Sequence, residues 1–356
     1  MSMPKRFSAV VIGSALLVVA GAGLASADPK SPYTTANPQY RQLAGVGSDT
    51  TQDVMNGLAD SVLIGGVKVL GSYNAVGSAT VATNATTACA AVARANGSGA
   101  GRAALLNSLN ANSGAGDGCI QFARSSSLKL DASSPSLTYI PFATDAVSYA
   151  VTTTSGVSRT LNIADLQKIY KCDASVVGSS AVPASDATNT WDITPILPQA
   201  GSGTRSYWEG KMGITDADVN LGVYPCILNG AKAGQSIEEH TGTLVDDKSL
   251  APFSIAQYNA QSTLTLSDKR GRTVLGSIGT GTAGGTLTSV SYPSLLNGNF
   301  NIKRDVYNIV PTAQLSNAPY NSVFVGSTSL VCADTATIQK FGFLVSAACG
   351  DVTNKS

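Results

Sequence analysis

The sequence predicts an α/β fold, and three observations carry that prediction. Short apolar runs alternate along the chain with segments whose apolar residues recur at helical spacing. Several runs end in turns of small and hydroxyl residues, and three of those turns open a helix. About 330 residues follow an N-terminal apolar segment, a length sufficient for two domains.

The first 27 residues read as a secretory signal. Lys5 and Arg6 precede the apolar run Val10–Leu24, which ends in Ala25-Ser26-Ala27, an A-x-A cleavage pattern. The expected location after cleavage near Ala27 is extracellular or periplasmic. No cysteine lies near that point, so no lipid anchor is expected. Residues 28–39, rich in Pro, Ser, Thr and Asn, read as an extended arm.

The first strand is expected over Gln42–Val46. Gly47-Ser48-Asp49-Thr50-Thr51-Gln52 then leads into a helix carrying Val54, Met55, Leu58 and Val62, with Asp49 or Thr50 as its natural N-cap. Val67–Tyr73 is a second strand, and Gly77–Asn96 a polar excursion clamped by Cys89. Asn96-Gly97-Ser98-Gly99-Ala100-Gly101 opens a helix carrying Ala104, Leu105 and Leu109. Cys119–Ala123 is a buried strand, followed by Arg124-Ser125-Ser126-Ser127. Leu137–Phe142 and Ala146–Thr152 are strand-like, with Pro141 between them, and the crossing into a second domain is placed here.

Asn162–Tyr170 reads as a helix and Trp191–Leu197 as a strand. Gly201-Ser202-Gly203-Thr204-Arg205 follows and starts a helix with Tyr207, Trp208 and Met212. Ser236–Leu244 holds Glu238-Glu239-His240. Ile255–Asn259 reads as a strand, Leu264–Tyr292 as β-type, Val306–Val310 as a returning strand and Thr335–Val345 as a closing helix.

The chemistry lies in the turns. A helix start presents unpaired N–H groups and a partial positive charge, and Ser, Thr and Gly let an oxyanion approach and bond there. Ser202, Gly203, Thr204 and Ser98 are the leading candidate contacts. Asp49 and Thr50 are equally placed for capping or binding. Arg205 supplies a fork suited to an oxyanion, or pairs with Glu209 one turn on, and Arg124 is a second cation. Ser125 and Ser126 complete the set. His240, the single histidine, is expected to face solvent beside its two glutamates.

Composition excludes other classes. Charged residues make up 13% and the net charge is +1, so there is no basic field for nucleic acid. Six cysteines suit an oxidising compartment and allow 15 pairings. Pairing sequence neighbours gives the simplest set, Cys89–Cys119, Cys172–Cys226 and Cys332–Cys349. No C-x-x-C occurs and there is a single histidine, so no zinc site is expected; no cofactor is expected either. No G-x-S-x-G elbow or close carboxylate pair supports a hydrolase.

Four segments in order resemble those of the phosphate-binding proteins that serve ABC importers, a group of type II periplasmic-type solute-binding proteins. They are Gly45-Val46-Gly47-Ser48-Asp49-Thr50, Gly97–Gly101, Phe122-Ala123-Arg124-Ser125-Ser126 and Pro198–Thr204. The resemblance implies a two-lobed fold with two hinge strands. Residues 40–142 plus 304–350 would form lobe 1, and 143–303 lobe 2. It further implies a monomer that captures inorganic phosphate or a related oxyanion between the lobes and hands it to a transporter permease, with no catalysis. Two positions depart from the pattern. Pro198 stands where the family has arginine, and Ser126 where it has the aspartate that accepts a proton of hydrogen phosphate. Arg205 or Arg124 then stand as replacement cations and Asp49 as replacement acceptor. The alternative is an extracellular binding or adhesion module with this fold and a changed ligand.

Overall fold

A computed structural model describes residues 28–29, 40–109, 117–130, 136–178, 192–280, 288–291 and 302–355. The signal segment and residues 30–39 of the arm lie outside the described residues.

The chain enters at β1 (Leu43–Gly47) and continues into α1 (Gln52–Ser61), β2 (Leu70–Ser72), α2 (Ser98–Leu109) and β3 (Phe122–Ser125). β1 pairs in parallel with β2 on one side and β3 on the other. A parallel strand buried on both faces needs apolar residues at every position, and β1 is buried throughout. Leu43 packs with Val54, Met55 and Leu58 of α1 on one face. Ala44 and Val46 pack with Leu105 of α2 on the other. The excursion after β2 is a small hairpin, Thr80–Val81 with Val92–Ala93, tied by Cys89–Cys119.

The two strand-like runs around Pro141 form one 16-residue strand, β4 (Leu137–Thr152). Proline cannot donate to a ladder and is found in strands at bulges or edges. Here the register slips at that point: Val306 faces Ala143 and Tyr307 faces Pro141.

Next come α3 (Ile163–Tyr170), β5 (Thr194–Leu197), α4 (Gly203–Met212), β6 (Leu228–Asn229), β7 (Ser249–Ser254), α5 (Ile255–Ser262), β8 (Thr273–Leu275) and β9 (Lys303–Pro311). α3 begins with a capping box, Asn162 accepting from the Asp165 N–H at 2.8 Å. β5 lies parallel to β6 and β7. β9 runs antiparallel to β4 along its whole length and also pairs β3. One continuous sheet results, in the order β6-β5-β7-β4-β9-β3-β1-β2.

Two further elements differ from the sequence reading. Ile255–Asn259 is helical, because the Ser254 hydroxyl accepts from the Gln257 N–H and starts α5. The closing segment is a shorter helix, α6 (Thr335–Lys340). It stops at Gly342, whose φ is +83°, and is followed by β10 (Leu344–Val345) on β4.

The cores divide by position in the chain. One cluster draws its buried residues from Ala146 through Ile302 and centres on Trp208, packed edge-on to Tyr170 at 5.9 Å. Two others draw theirs from 43–143 and 306–349, with Ala256 the single addition. The disulfides are Cys89–Cys119, Cys172–Cys226 and Cys332–Cys349, the pairing of sequence neighbours.

Candidate functional site

Three helix starts meet at one buried cluster of hydroxyls. The turn after β1 carries Thr50 ahead of α1, Ser98 is the first residue of α2, and Ser202 caps α4. The Thr50 hydroxyl lies 3.2 Å from Ser126 Oγ and 3.2 Å from Thr204 Oγ1. Ser98 Oγ lies 3.4 Å from Ser126 Oγ and accepts from the Ser126 N–H at 3.0 Å. Across the same junction the Gly99 N–H donates to the Gly201 carbonyl at 3.2 Å. Thr50, Ser126, Ser202 and Thr204 are fully buried.

Gly203 explains how the turns come so close. A Cβ there would stand 2.4 Å from both Ser126 Oγ and Ser98 Oγ. Any side chain would therefore turn the two serine hydroxyls out of the cluster or force α4 away from them. Gly101 does the same for α2, since a Cβ on it would meet the Gly47 Cα at 2.5 Å.

Both arginines singled out from the sequence are engaged outside the hydroxyl cluster. Arg205 donates to the Pro198 carbonyl at 2.9 Å and to Asn229 at 2.6 Å, and pairs with Asp216 and Glu209. Arg124 donates to the carbonyls of Gly45, Gly47 and Ser48 and to Ser72 Oγ. Burial lowers its pKa to about 10, with Asp53, Asp49 and Asp28 acting in the opposite direction. Arg124 thus fastens the β1 turn. Ser125 bonds locally, donating to the Ser127 carbonyl at 2.6 Å.

The cation that reaches the hydroxyls is Arg304, which the sequence reading did not single out. Its Nη2 donates to Thr204 Oγ1 at 2.6 Å and to Asp145 at 3.0 Å. Arg304 and Asp145 are register partners on β9 and β4, so the pair sits where the two long strands run side by side. Asp145 is anchored by Ser254 Oγ and the Ala256 N–H. Burial pushes its carboxyl pKa up, and Arg304 pulls it back. Asp145, the one charge in the 16-residue run Leu137–Thr152, was the available signal; Arg304 stands between Lys303 and Asp305, where nothing local marks it.

The 237–242 loop completes the site. Glu239 accepts hydrogen bonds from the Thr50 hydroxyl and, at 3.3 Å, from the Ser202 hydroxyl. His240 is 3% exposed, so it faces inward and not to solvent as the sequence suggested. The loop is held there by the Ser254 N–H on the Glu239 carbonyl and by the Gln261 amide on the His240 carbonyl. His240 Nε2 lies 3.1 Å from Glu238, and its Nδ1 lies 3.9 Å from Asp49. Asp49 does not cap α1. The N-cap is Thr51 and uses no side-chain bond. The Asp49 carboxyl instead accepts from the Gln199 amide at 3.2 Å, and its second oxygen is buried without a partner. Burial and the neighbouring Glu239 raise the Asp49 pKa. Burial alone would lower the His240 pKa, but Glu238, Asp49 and Glu239 together raise it.

A family model described as "PBP superfamily domain" matches residues 33–338. The chain belongs to the PBP superfamily. Two long strands lie side by side in its mixed sheet, and Arg304 and Asp145 at the site are register partners on them.

Among solved structures it is similar to a putative phosphate ABC transporter substrate-binding protein with bound phosphate from Clostridium perfringens. That match has 13% identity and a TM-score of 0.47, covering 85% of this chain and 99% of that one. It is also similar to an ABC-type phosphate transport receptor from Vibrio cholerae, at 17% identity and TM-score 0.48, covering 85% and 100%. A third is a phosphate-binding protein from Stenotrophomonas maltophilia, at 12% identity and TM-score 0.45, covering 86% and 91%. No curated protein matches the sequence.

Proposed function

We propose that this protein is a secreted solute-binding protein. Two lobes, 40–142 with 304–350 and 143–303, close on a small oxyanion, phosphate or a close relative, for delivery to an ABC importer. The observation that carries this reading is the meeting of Thr50, Ser98, Ser126, Ser202 and Thr204 at three helix starts, with Arg304 donating into the group. Helix-start dipoles and hydroxyl donors suit an anion and require no reacting group. The site offers capture rather than catalysis. Glu239 supports the same view, because a carboxylate is itself an oxyanion and it already accepts from Thr50 and Ser202.

That same carboxylate favours a second reading, a binding module whose ligand has changed. A dianion must displace Glu239 or share the site with it, and like charges at such range are costly. Pro198 offers no positive charge where the resembling family has arginine.

Titration calorimetry on ligand-stripped protein separates the two. Phosphate, sulfate, arsenate and a phosphate ester are tested in turn. The oxyanion reading expects micromolar or tighter affinity for one of them, weakened at least tenfold in Ser202→Ala and in Thr204→Ala. It also expects tighter binding in Glu239→Gln, which loses the internal competitor. No heat with any anion, in wild type or Glu239→Gln, leaves the changed-ligand module standing.

A further inference from the structure

We infer that Asp49, Glu239 and His240 form a binding site for one divalent transition-metal cation of the zinc class, independent of whether the cleft takes an oxyanion. The three residues place one ligand atom each within 4.8 Å of one another, and all three are buried. Bonds of about 2.0 Å in tetrahedral geometry put ligand atoms ~3.3 Å apart. The side chains therefore draw in by about 1 Å or a little more to close on an ion.

Unsatisfied atoms point to the ligand. Asp49 Oδ1 and both ring nitrogens of His240 are buried with no hydrogen-bond partner. A buried polar atom without a partner costs free energy, and a cation between the carboxylates satisfies Asp49 and one ring nitrogen. His240 has the arrangement of a metal-bound imidazole. Its Nε2 stands 3.1 Å from the Glu238 carboxylate and its Nδ1 3.9 Å from Asp49, so the ring lies between carboxylates and can present either nitrogen to an ion. A carboxylate behind a ligating histidine is the usual outer support of such sites.

The other ligands have outer supports as well. The Gln199 amide holds Asp49, and the Thr50 and Ser202 hydroxyls hold Glu239. Three carboxylates, Asp49, Glu238 and Glu239, stand around this single imidazole. An imidazole with two carboxylates favours zinc, manganese or iron over calcium and magnesium. Three protein ligands leave one position for water or for an oxygen of a second ligand.

Asp49 lies in the turn after β1, whereas Glu239 and His240 belong to a loop anchored on Ser254 and Gln261. A bound cation would therefore tie two distant parts of the chain together.

The test is calorimetric titration of Zn²⁺, and separately Mn²⁺, into tag-free, chelator-treated protein in a buffer free of oxyanions. The expectation is one site per chain at micromolar or tighter affinity for at least one of the two ions. Asp49→Asn and His240→Gln are expected to abolish it. Glu238→Gln, which removes only the support of the imidazole, is expected to weaken it about 10- to 100-fold. Circular dichroism and the melting temperature establish that each variant is folded. Absence of a stoichiometric site for either ion in the wild type overturns the inference, as does unchanged affinity in a folded His240→Gln protein. Oxyanion titrations in chelator report on the cleft separately, so either reading can fail while the other holds.

Discussion

Replacing Gly203 by alanine tests the closure of the site most directly. The added methyl carbon would lie 2.4 Å from Ser98 Oγ and 2.4 Å from Ser126 Oγ, where ordinary contact begins at 3.4 Å. Both clashing atoms are serine hydroxyls held by hydrogen bonds within the cluster, so either they turn out of it or the start of α4 withdraws by about 1 Å. The withdrawal takes Thr204 Oγ1, now 3.2 Å from Thr50 Oγ1, out of hydrogen-bond range. It also breaks the Gly99 to Gly201 backbone bond. Lost hydrogen bonds to a charged ligand cost about 1.5–3 kcal/mol each, and a neutral one about 1 kcal/mol. A combined loss of about 2–4 kcal/mol corresponds to roughly 30- to 700-fold in affinity. The fold itself should be spared. Alanine is up to ~1 kcal/mol better than glycine in a helix, and two lobes can accommodate the methyl by standing further apart. Calorimetry gives the affinity and a thermal melt gives the stability. Oxyanion affinity within twofold of wild type would refute the claim that these turns close around the ligand. A melting temperature lowered by more than about 10 °C would show that the contact belongs to the rigid fold and not to a closing cleft.

Two further outcomes follow from the packing. Burial raises the Glu209 pKa to about 7, against the pull of Arg205 and with the push of Asp216. A carboxyl raised on folding binds more protons in the native state, so its contribution is full below about 4.5 and is lost as pH rises through about 7. Glu209→Gln should therefore flatten that part of the stability profile and gain on the order of 1–2 kcal/mol over wild type at pH 8, read from urea denaturation at several pH values; a parallel profile would exclude Glu209 as its source. Removing Cys172–Cys226, which closes a span of 54 residues, should cost about 4 kcal/mol in the chain-entropy description. The double Cys→Ala protein would show this as a lower denaturation midpoint, and an unchanged midpoint would mean the unfolded chain is already constrained there.

The α/β class was legible because strand ends and helix starts carry local signals. Gly47–Thr50, Ser98 and Ser202–Thr204 announce turns that leave a strand and cap or open a helix. What local signals do not carry is the direction of a long side chain. Arg205 follows a Ser-Gly-Thr turn and looks aimed at a ligand, yet Asp216, one turn beyond the end of α4, and the Pro198 carbonyl lie within its reach. Arg304 and Asp145 are 159 positions apart and become partners only through the β4–β9 register. His240 follows two glutamates, a pattern typical of a solvated surface. Its burial depends on backbone bonds from Ser254 and on Gln261, which no spacing rule connects to it. The strand reading of Ile255–Asn259 failed because Ser254 acts as a cap at the end of β7, and an apolar run of that length fits either element.

The antiparallel register of β4 and β9 places Ala146 directly opposite Lys303. Everything from 147 to 302 therefore leaves and re-enters the chain at neighbouring points on one sheet. Its hydrophobic cluster is its own apart from flanking residues such as Leu344, and its disulfide, Cys172–Cys226, closes within it. A stretch whose two ends lie side by side can be exchanged as a cassette without rerouting the remainder. A gene coding for this chain could thus acquire a new half-site in a single recombination event, keeping Thr50, Ser98 and Ser126 while replacing Ser202, Thr204 and the glutamate loop together.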